Sequence, residues 1–232
     1  KRIIFAALIY LTAIVTASAQ MMAEEPQKEI RRVGEFIGIE AMKGVNVSIV
    51  QNNNGRDEIE VMTDGCDLDL VETVVKNHKL RVSMKKRPSG AAVQVVVYCK
   101  DIESALVKTG ASFSTDCTFE HKGKFLLDVA AKCEVEMDIE CDELEVSANS
   151  CMIKLEGKAT KQDVEISGTV ADSKYDAGRL KSEEIDIFAS GANSIVNASR
   201  RIFAEADGCT IECLGEAEVV KKETSGGQIV KN

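Results

Sequence analysis

The sequence predicts an all-β protein that folds as a parallel β-solenoid with coils of about 19 residues. Small turns recur along the second half of the chain, as in "VKTGASFST" (107–115) and "FASGANSIV" (188–196). Runs of alternating apolar and polar residues flank these turns, and this period of two indicates β-strands, since a helix would scatter the apolar residues around its axis. A repeat near 20 residues with a recurring glycine is typical of β-solenoids.

Seven turn positions define the repeat, at spacings of 22, 18, 18, 23, 17 and 18 residues. These positions are Gly110, Lys132, Ser150, Gly168, Gly191, Gly208 and Gly226. We expect the five glycines to be structural, because a sharp bend favours positive φ or close backbone approach. The residues that follow each turn are expected to stack as an interior column of small side chains. They are Ala111, Cys133, Cys151, Thr169, Ala192, Cys209 and Gly227.

Four segments are expected along the chain. They are a signal peptide at 1–19, a linker at 20–33, a strand-rich segment with a cap at 34–101, and the solenoid repeats at 102–232.

The first segment has the pattern of a secretory signal peptide. Lys1 and Arg2 precede an apolar run at 3–15, and Ala17-Ser18-Ala19 supplies a small-residue cleavage site. A membrane anchor is the alternative, but the run is shorter than the ~20 residues that a spanning helix needs. We therefore expect an exported protein of the periplasm, the outer surface or the extracellular space, with no membrane span after signal removal.

Short strands are predicted between the linker and the repeats. "VNVSIV" (45–50) and "EIEVM" (58–62) have the alternation of strands, and "QNNNG" between them predicts a hairpin. The following stretch is ambiguous, because Leu68, Val71 and Val74 have helical spacing while 80–84 alternates as a strand. "KNHK" (76–79) is predicted to be a turn, and the segment as a whole is expected to cap one end of the solenoid.

Charge excludes two classes of partner. The formal net charge is −9, and without Lys1 and Arg2 the chain has 27 cations against 38 acidic residues. Nucleic-acid affinity comes mostly from neutralised phosphates, so we expect no nucleic acid, and an anionic membrane surface is also disfavoured.

Eight cysteines raise the question of disulfides or metal. An even number of cysteines in an exported chain favours a disulfide framework. The spacings, however, match no small disulfide scaffold. Cys133 and Cys151 are the pair that adjacent coils would bring close enough to form a disulfide. The chain has no CxxC and two histidines, His78 and His121. We expect most of the thiols to be buried as small apolar groups, and we expect no zinc and no cofactor.

The acidic stretch "CEVEMDIECDELEV" (133–146) has two interpretations. Stacked carboxylates could bind calcium, or they could form a solvated outer face that discourages edge-to-edge strand addition. No calcium-binding loop pattern is present, so the solvated face is favoured.

Catalytic patterns are missing from the sequence. Solenoid polysaccharide hydrolases use paired aspartates on neighbouring coils for acid and base work. Candidate acids are Asp116, Asp138, Asp163, Asp172 and Asp186, and none belongs to a recognisable motif. We expect a protein that is not an enzyme.

Partner-binding candidates lie in the two longest repeats, since extra residues in a solenoid repeat form loops on one face. "CTFEHKGK" contributes Phe119 and His121, and "DSKYDAGRL" contributes Tyr175 and Arg179.

Three stretches in order carry a family resemblance. They are "FIGIEAMKGVNVSIVQNNN", then "LVETVVKNHKLRVSM" leading to "VQVVVYCKDIESALVKTGAS", and finally the turns "TGAS", "ISGT", "ASGANS" and "SGG". Over residues 34–232 the chain resembles the secreted Bacteroidetes family described as putative auto-transporter adhesin, head GIN domain. The resemblance implies a right-handed β-helix-like fold and an exported protein, and it brings no ligand or catalytic residue. Lys132 and Ser150 depart from the family's glycine turns, so those two coils are expected to bend differently.

Three functions are compatible with this sequence. The favoured one is a non-enzymatic envelope or surface protein, adhesin-like, which binds a glycan or an envelope or host surface protein through a rigid β-helix face. A polysaccharide-active β-helix enzyme is the alternative, and it would show carboxylates converging in a groove on adjacent coils. A structural envelope component is the third, and it would form homo-oligomers through its end coils.

Overall fold

The computed structural model describes residues 26–52, 58–86 and 88–232. The predicted signal peptide and part of the predicted "QNNNG" turn lie outside these residues. Eighteen strands and one 3-10 turn (Leu68–Leu70) follow one another along the described chain. The strands are β1 (Gln27–Arg32), β2 (Gly38–Met42), β3 (Asn46–Gln51), β4 (Glu58–Asp64), β5 (Val71–Lys76), β6 (Lys79–Met84), β7 (Ala92–Cys99), β8 (Ser104–Lys108), β9 (Ser112–Thr115), β10 (Phe119–Glu120), β11 (Lys124–Ala130), β12 (Glu134–Asn149), β13 (Met152–Ser167), β14 (Lys174–Ser190), β15 (Asn193–Asp207), β16 (Thr210–Leu214), β17 (Glu218–Thr224) and β18 (Gln228–Lys231).

The strands form a parallel β-solenoid, as the sequence predicts, with two stacks of strands around one core. Stack A runs β5, β6, β2, β8, β11, the second halves of β12 to β15, and β17. Stack B runs β1, β4, β7, β3, β9, the first halves of β12 to β15, β16 and β18. Neighbouring coils pair in parallel, so each backbone group finds its partner on the coil above or below.

Each long strand bends once and serves both stacks. In β12 the buried side chains are Val135, Met137, Ile139 and Cys141 before the bend, and Leu144, Val146 and Ala148 after it. At the bend the successive N–H groups of Asp142 and Glu143 both donate to the Gly123 carbonyl, at 3.2 and 3.1 Å. This extra residue shifts the alternation by one, which keeps apolar side chains inside on both stacks.

The tight turns lie where the repeat predicts them. All seven turn residues have φ between 52° and 151°, in the region that glycine adopts most easily. Lys132 (61°) and Ser150 (52°) bend in the same way as the glycines, which corrects the expectation that their coils differ. The parallel ladders on both sides hold these residues in place and offset the conformational cost.

The interior column next to the turns matches the prediction at five positions. Ala111, Cys133, Cys151, Ala192 and Cys209 are buried.

The column differs from the prediction at Thr169, which is exposed. The amides of Asp172 and Ser173 both donate to the Thr169 carbonyl and close an extra turn of the backbone. Ser173, directly before β14, is 1% exposed and takes the interior position instead.

The first strands continue the two stacks, but their order differs from the predicted hairpin. β3 has parallel partners on both sides, β7 and β9, so it has no free edge for β4. β4 pairs antiparallel with β7 and with β1, so the predicted β3–β4 hairpin is wrong. β1 (Gln27–Arg32) also lies within the segment 20–33 that was expected to be a linker.

The ambiguous stretch forms an antiparallel hairpin of β5 and β6. Asn77 and His78 have φ values of 52° and 57°, which confirms the predicted turn between them and is typical of a two-residue hairpin loop. The boundary at residue 102 stays a prediction, because the strands on both sides of it share the same stacks.

An arginine closes the N-terminal end of the core. The Arg31 guanidinium, on β1 of stack B, donates to the carbonyls of Val71 (2.7 Å) and Leu68 (3.0 Å) and to Thr73 Oγ1 (3.1 Å). Val71 and Thr73 belong to β5 at the edge of stack A, so one side chain ties the two stacks together.

Charged side chains cover the C-terminal end of the core. Lys221 Nζ donates to the Ile229 carbonyl (2.6 Å), and Lys231 Nζ donates to the Ala217 carbonyl (2.7 Å). The Glu223 carboxylate accepts from the Ile229 amide at 2.8 Å. Earlier coils bury apolar side chains at the equivalent positions. Lys221, Glu223 and Lys231 therefore form a charged, hydrated lid over the last coil.

Most of the thiols pack as small core groups. Burial raises the pKa of Cys141 and Cys151 to about 12 and that of Cys213 to about 11. The Cys133 thiol contacts the Ala130 carbonyl at 3.0 Å, whereas Cys117 is exposed.

Two glycine turns with the same φ provide a test of the coil spacing. A Cβ at Gly191 (63°) would lie 2.2 Å from the Gly168 carbonyl oxygen, whereas a Cβ at Gly208 (62°) would meet nothing closer than 4.0 Å. Gly208→Ala should therefore cost about 1 kcal/mol from its backbone conformation, and Gly191→Ala should cost about 1–3 kcal/mol more from overpacking. Urea unfolding measures both, and equal losses would contradict the coil contact.

The buried thiols predict a loss of stability in base. A thiol of the unfolded chain ionises near its ordinary pKa of 9.0, whereas burial raises the pKa of folded Cys151 to about 12. Between these values the unfolded chain has lost the proton and the folded chain retains it. The free energy of unfolding therefore falls as the pH rises, by at most ~1.4 kcal/mol per pH unit for each thiol.

The matched variants are Cys151→Ala and Cys117→Ala. Urea unfolding between pH 8 and 10.5 should show a shallower pH slope for Cys151→Ala and an unchanged slope for Cys117→Ala. An unchanged slope in both variants would show that Cys151 does not contribute.

Candidate functional site

A corner cleft of about 600 Å³ lies between the first strands and the early coils. Gln51, Asp101, Thr118, His121, Asp142 and Thr160 lie around it. The His121 Nδ1 atom lies 2.8 Å from Asp101 Oδ1, and the His121 ring packs edge-on against Phe125 at 6.0 Å. The cleft thus contains the predicted binding residue His121, but its ring is largely buried and bonded internally.

Gln51 and Asp142 of the corner cleft also make structural hydrogen bonds. The Gln51 amide nitrogen donates to the carbonyls of Lys100 (2.9 Å) and Glu120 (2.8 Å), and its oxygen accepts from the Glu120 amide (2.8 Å). Asp142 accepts from the Gly123 amide at 2.8 Å. These bonds join the first strands to the coils, which explains the polar lining without a ligand.

Two of the predicted binding residues are in the core, which corrects the expectation that they lie in surface loops. Phe119 packs edge-on against Phe125, with ring centroids 6.0 Å apart. Tyr175 is fully buried, its hydroxyl donates to Gln162 Oε1 at 2.7 Å, and burial raises its pKa. Neither ring can contact a partner.

Arg179 is exposed, as a binding residue requires. Its guanidinium lies 3.0 Å from the Glu156 carboxylate across neighbouring strands. Arg179 stays a prediction as a binding residue, and Glu156 already compensates its charge.

Three of the five candidate acids accept hydrogen bonds from hydroxyl groups. Asp116 accepts from Ser48 Oγ (3.2 Å), and Asp172 accepts from Thr169 Oγ1 (3.1 Å). Asp138 accepts from the Thr118 hydroxyl at 2.8 Å. These hydrogen bonds are internal contacts of the protein, so they explain the three aspartates without a substrate.

The remaining two acids, Asp163 and Asp186, lie in register on β13 and β14. They belong to a groove of about 330 Å³ on the outer surface of stack A, which we call the Phe188–Phe203 groove. Its outward side chains are Asp163, Glu165, Asp186, Phe188, Phe203 and Glu205.

The two phenylalanines of this groove are unusually exposed for aromatic residues. Phe188 is 38% and Phe203 is 40% exposed. Phe188 lies in register between Glu165 and Glu205, and Phe203 follows Asp186 on the next coil. Phe188 is therefore flanked by carboxylates on both sides, whereas Phe203 lies between Asp186 and Val220.

Carboxylates of like charge follow one another along the groove. Glu145, Asp163 and Asp186 occupy the same register position on β12, β13 and β14. Lys161 lies 4.0 Å from Asp186, and Lys124 forms an ion pair with Glu145. Among the residues that the structure describes, neither Asp163 nor Glu165 has a cation within 4.0 Å.

The outward position of Phe188 could have been found from the alternation alone. In "IDIFAS" the inward residues are Ile185, Ile187 and Ala189, so the parity places Phe188 outside. Binding residues were expected in the longest repeats, but the exposed rings lie on a regular strand face.

Metal ligation has no candidate cluster in the parts of the chain with described coordinates, where no three His, Cys, Asp or Glu side chains are grouped for an ion. Over the same residues, no helix has the length and apolar composition to cross a bilayer.

Comparison with known proteins gives a family and several structural relatives. A family model described as "Putative auto-transporter adhesin, head GIN domain" matches residues 35–217. A search of the curated proteins gave no match.

Three solved structures show the same fold at low sequence identity. A putative adhesin from Bacteroides fragilis has a TM-score of 0.77 and 18% identity, covering 90% of this chain and 98% of its own. A protein from Parabacteroides distasonis named a putative lipid binding protein has a TM-score of 0.65 and 16% identity, covering 90% and 98%. A putative adhesin from Parabacteroides merdae has a TM-score of 0.62 and 18% identity, covering 90% and 97%.

Proposed function

Because the chain belongs to the family described as putative auto-transporter adhesin, head GIN domain, we propose that it is an exported, non-enzymatic, adhesin-like protein. In this proposal it binds a glycan or a protein of another surface through a lateral face of its solenoid. Its place is the periplasm, the outer surface or the extracellular space.

The exposed phenylalanines of the Phe188–Phe203 groove are the observation that carries the proposal. Exposed aromatic rings flanked by polar groups are typical of binding surfaces, because large rigid side chains give contact area at little entropic cost. Strands of a solenoid fix their positions, so the protein presents a preformed contact surface. The corner cleft offers less, since Gln51, His121 and Asp142 already make hydrogen bonds within the protein.

A polysaccharide-active enzyme is the second candidate, and the in-register pair of Asp163 and Asp186 favours it. Paired carboxyl groups of neighbouring coils can act as acid and base in glycoside hydrolysis. The acid of such a pair is normally shielded from water so that it stays protonated. Asp186 is 37% exposed at its side chain and lies on an open strand face, which favours binding over catalysis.

The third candidate, a structural component that assembles through its end coils, has less support. The lid of Lys221, Glu223 and Lys231 places charged side chains over the C-terminal end of the core. Stacking another coil there would remove these charges from water, which is costly unless each is paired.

A binding screen of the purified protein tests the proposal. The panel contains bacterial and host glycans, matrix and envelope proteins, and liposomes, the last because one structural relative is named a putative lipid binding protein. Calcium and chelator arms run in parallel, and each polysaccharide is sized after incubation. We expect chelator-insensitive binding to at least one surface component, with polysaccharide of unchanged length.

Heat-unfolded protein is the control for non-specific adsorption. Shortened polysaccharide, with cleavage abolished by Asp163→Asn and Asp186→Asn, would replace the adhesin proposal by the enzyme. Binding to no component of the panel beyond the unfolded control would count against the adhesin proposal.

A further inference from the structure

The Phe188–Phe203 groove has an excess of negative charge that its own cations do not neutralise. Asp163, Glu165, Asp186 and Glu205 contribute four carboxylates. The nearby cations are Lys161, 4.0 Å from Asp186, and Lys222, 2.7 Å from Glu205. Like charges in register destabilise a sheet, so this arrangement lowers the stability of the free protein.

A cationic ligand would reduce that repulsion, and it would also contact the two phenylalanine rings. Lysine and arginine side chains pack their methylene groups on apolar surface and keep the charged end near carboxylates. A cation above an aromatic ring is further attracted to the negative ring face. An apolar ligand would instead remove the carboxylates from water without compensation, and an anionic ligand would be repelled.

The spacing of the groove fits an extended polypeptide. Asp186 and Phe188 are two residues apart on one strand, as are Phe203 and Glu205 on the next, which places each pair ~6.6 Å apart. Side chains on one face of an extended peptide have the same spacing. A peptide that lies along the strands can therefore place alternate side chains on a ring and on a carboxylate.

We propose that the Phe188–Phe203 groove binds an extended, lysine- or arginine-bearing polypeptide segment of the partner. The inference rests on the proposed function and names the chemistry of the partner. Coulomb attraction between this acidic chain (net charge −9) and a basic segment also speeds association at low salt.

The probe is a fluorescently labelled twelve-residue peptide in which arginine alternates with serine. The control peptide has glutamine in place of each arginine. Fluorescence anisotropy measures binding to the purified protein at 50 and 500 mM NaCl. We expect the arginine peptide to bind, the glutamine peptide to bind at least tenfold more weakly, and the higher salt to weaken the arginine peptide.

Four variants locate the binding. Phe188→Ser combined with Phe203→Ser should weaken the arginine peptide at least tenfold, whereas Met152→Ser, 43% exposed on stack B, should not change it. Asp163→Asn should weaken binding severalfold while raising the melting temperature, because it removes the like-charge contact with Glu145 and Asp186. Glu134→Gln, an exposed acid of stack B, is the charge-matched control. Circular dichroism confirms that each variant is folded.

The outcomes separate this inference from the proposed function. If the groove variants bind the arginine peptide as the controls do, the inference is wrong even where the protein binds a surface component in the screen. If a neutral glycan binds and loses affinity in the phenylalanine variant while the arginine peptide does not bind, the groove is a glycan site and the inference is again wrong. Binding of the arginine peptide that only the groove variants weaken supports it, whichever surface the screen identifies.

Discussion

The parallel backbone ladder between coils is the constraint on which the rest of the structure depends. Each coil must lie one strand spacing, ~4.8 Å, from the next, and the backbone must reverse sharply at every coil without leaving polar groups unpaired. Seven turn residues with positive φ satisfy the second condition, and five of the seven following positions are buried alanine or cysteine. Space next to the turns is therefore limited, which explains the small side chains at these positions.

The same ladder determines what the surface can do. In-register stacking places equivalent outward residues in rows, with one residue from each coil. The chemical character of a row therefore changes wherever the sequence of a coil changes. On stack A one row passes from Glu145 through Asp163 and Asp186 to Phe203. Three like charges in register are unfavourable for folding, and they lie beside exposed rings. A binding function gives a physical reason for tolerating both features at the same place.

Repetition made most of the fold predictable. Coil length, turn positions and the inward residues of the later strands follow from a period of two that is interrupted at regular intervals. Lys132 and Ser150 bend like the glycines because the neighbouring strands of the ladder determine the backbone path. The order of the first strands could not be predicted in the same way, because β3 pairs with β7 and β9 across long stretches of chain. Sequence adjacency favoured the β3–β4 hairpin, whereas the stacks required parallel neighbours.

The candidate site was predictable in part. Insertions do enlarge the two longest repeats, but Phe119 and Tyr175 resume the strand alternation and point into the core, where Tyr175 finds Gln162 as its hydrogen-bond partner. Phe188 and Phe203 have outward parity, yet their joint location in one groove depends on the register between β14 and β15, which the sequence alone does not specify.

Photo-crosslinking locates the bound segment most directly. An arginine-bearing peptide with a benzophenone side chain is irradiated with the protein, and mass spectrometry identifies the crosslinked residues. We expect crosslinks to outward positions of β13, β14 and β15 on stack A, around Phe188 and Phe203. Crosslinks at the corner cleft or on stack B would contradict it.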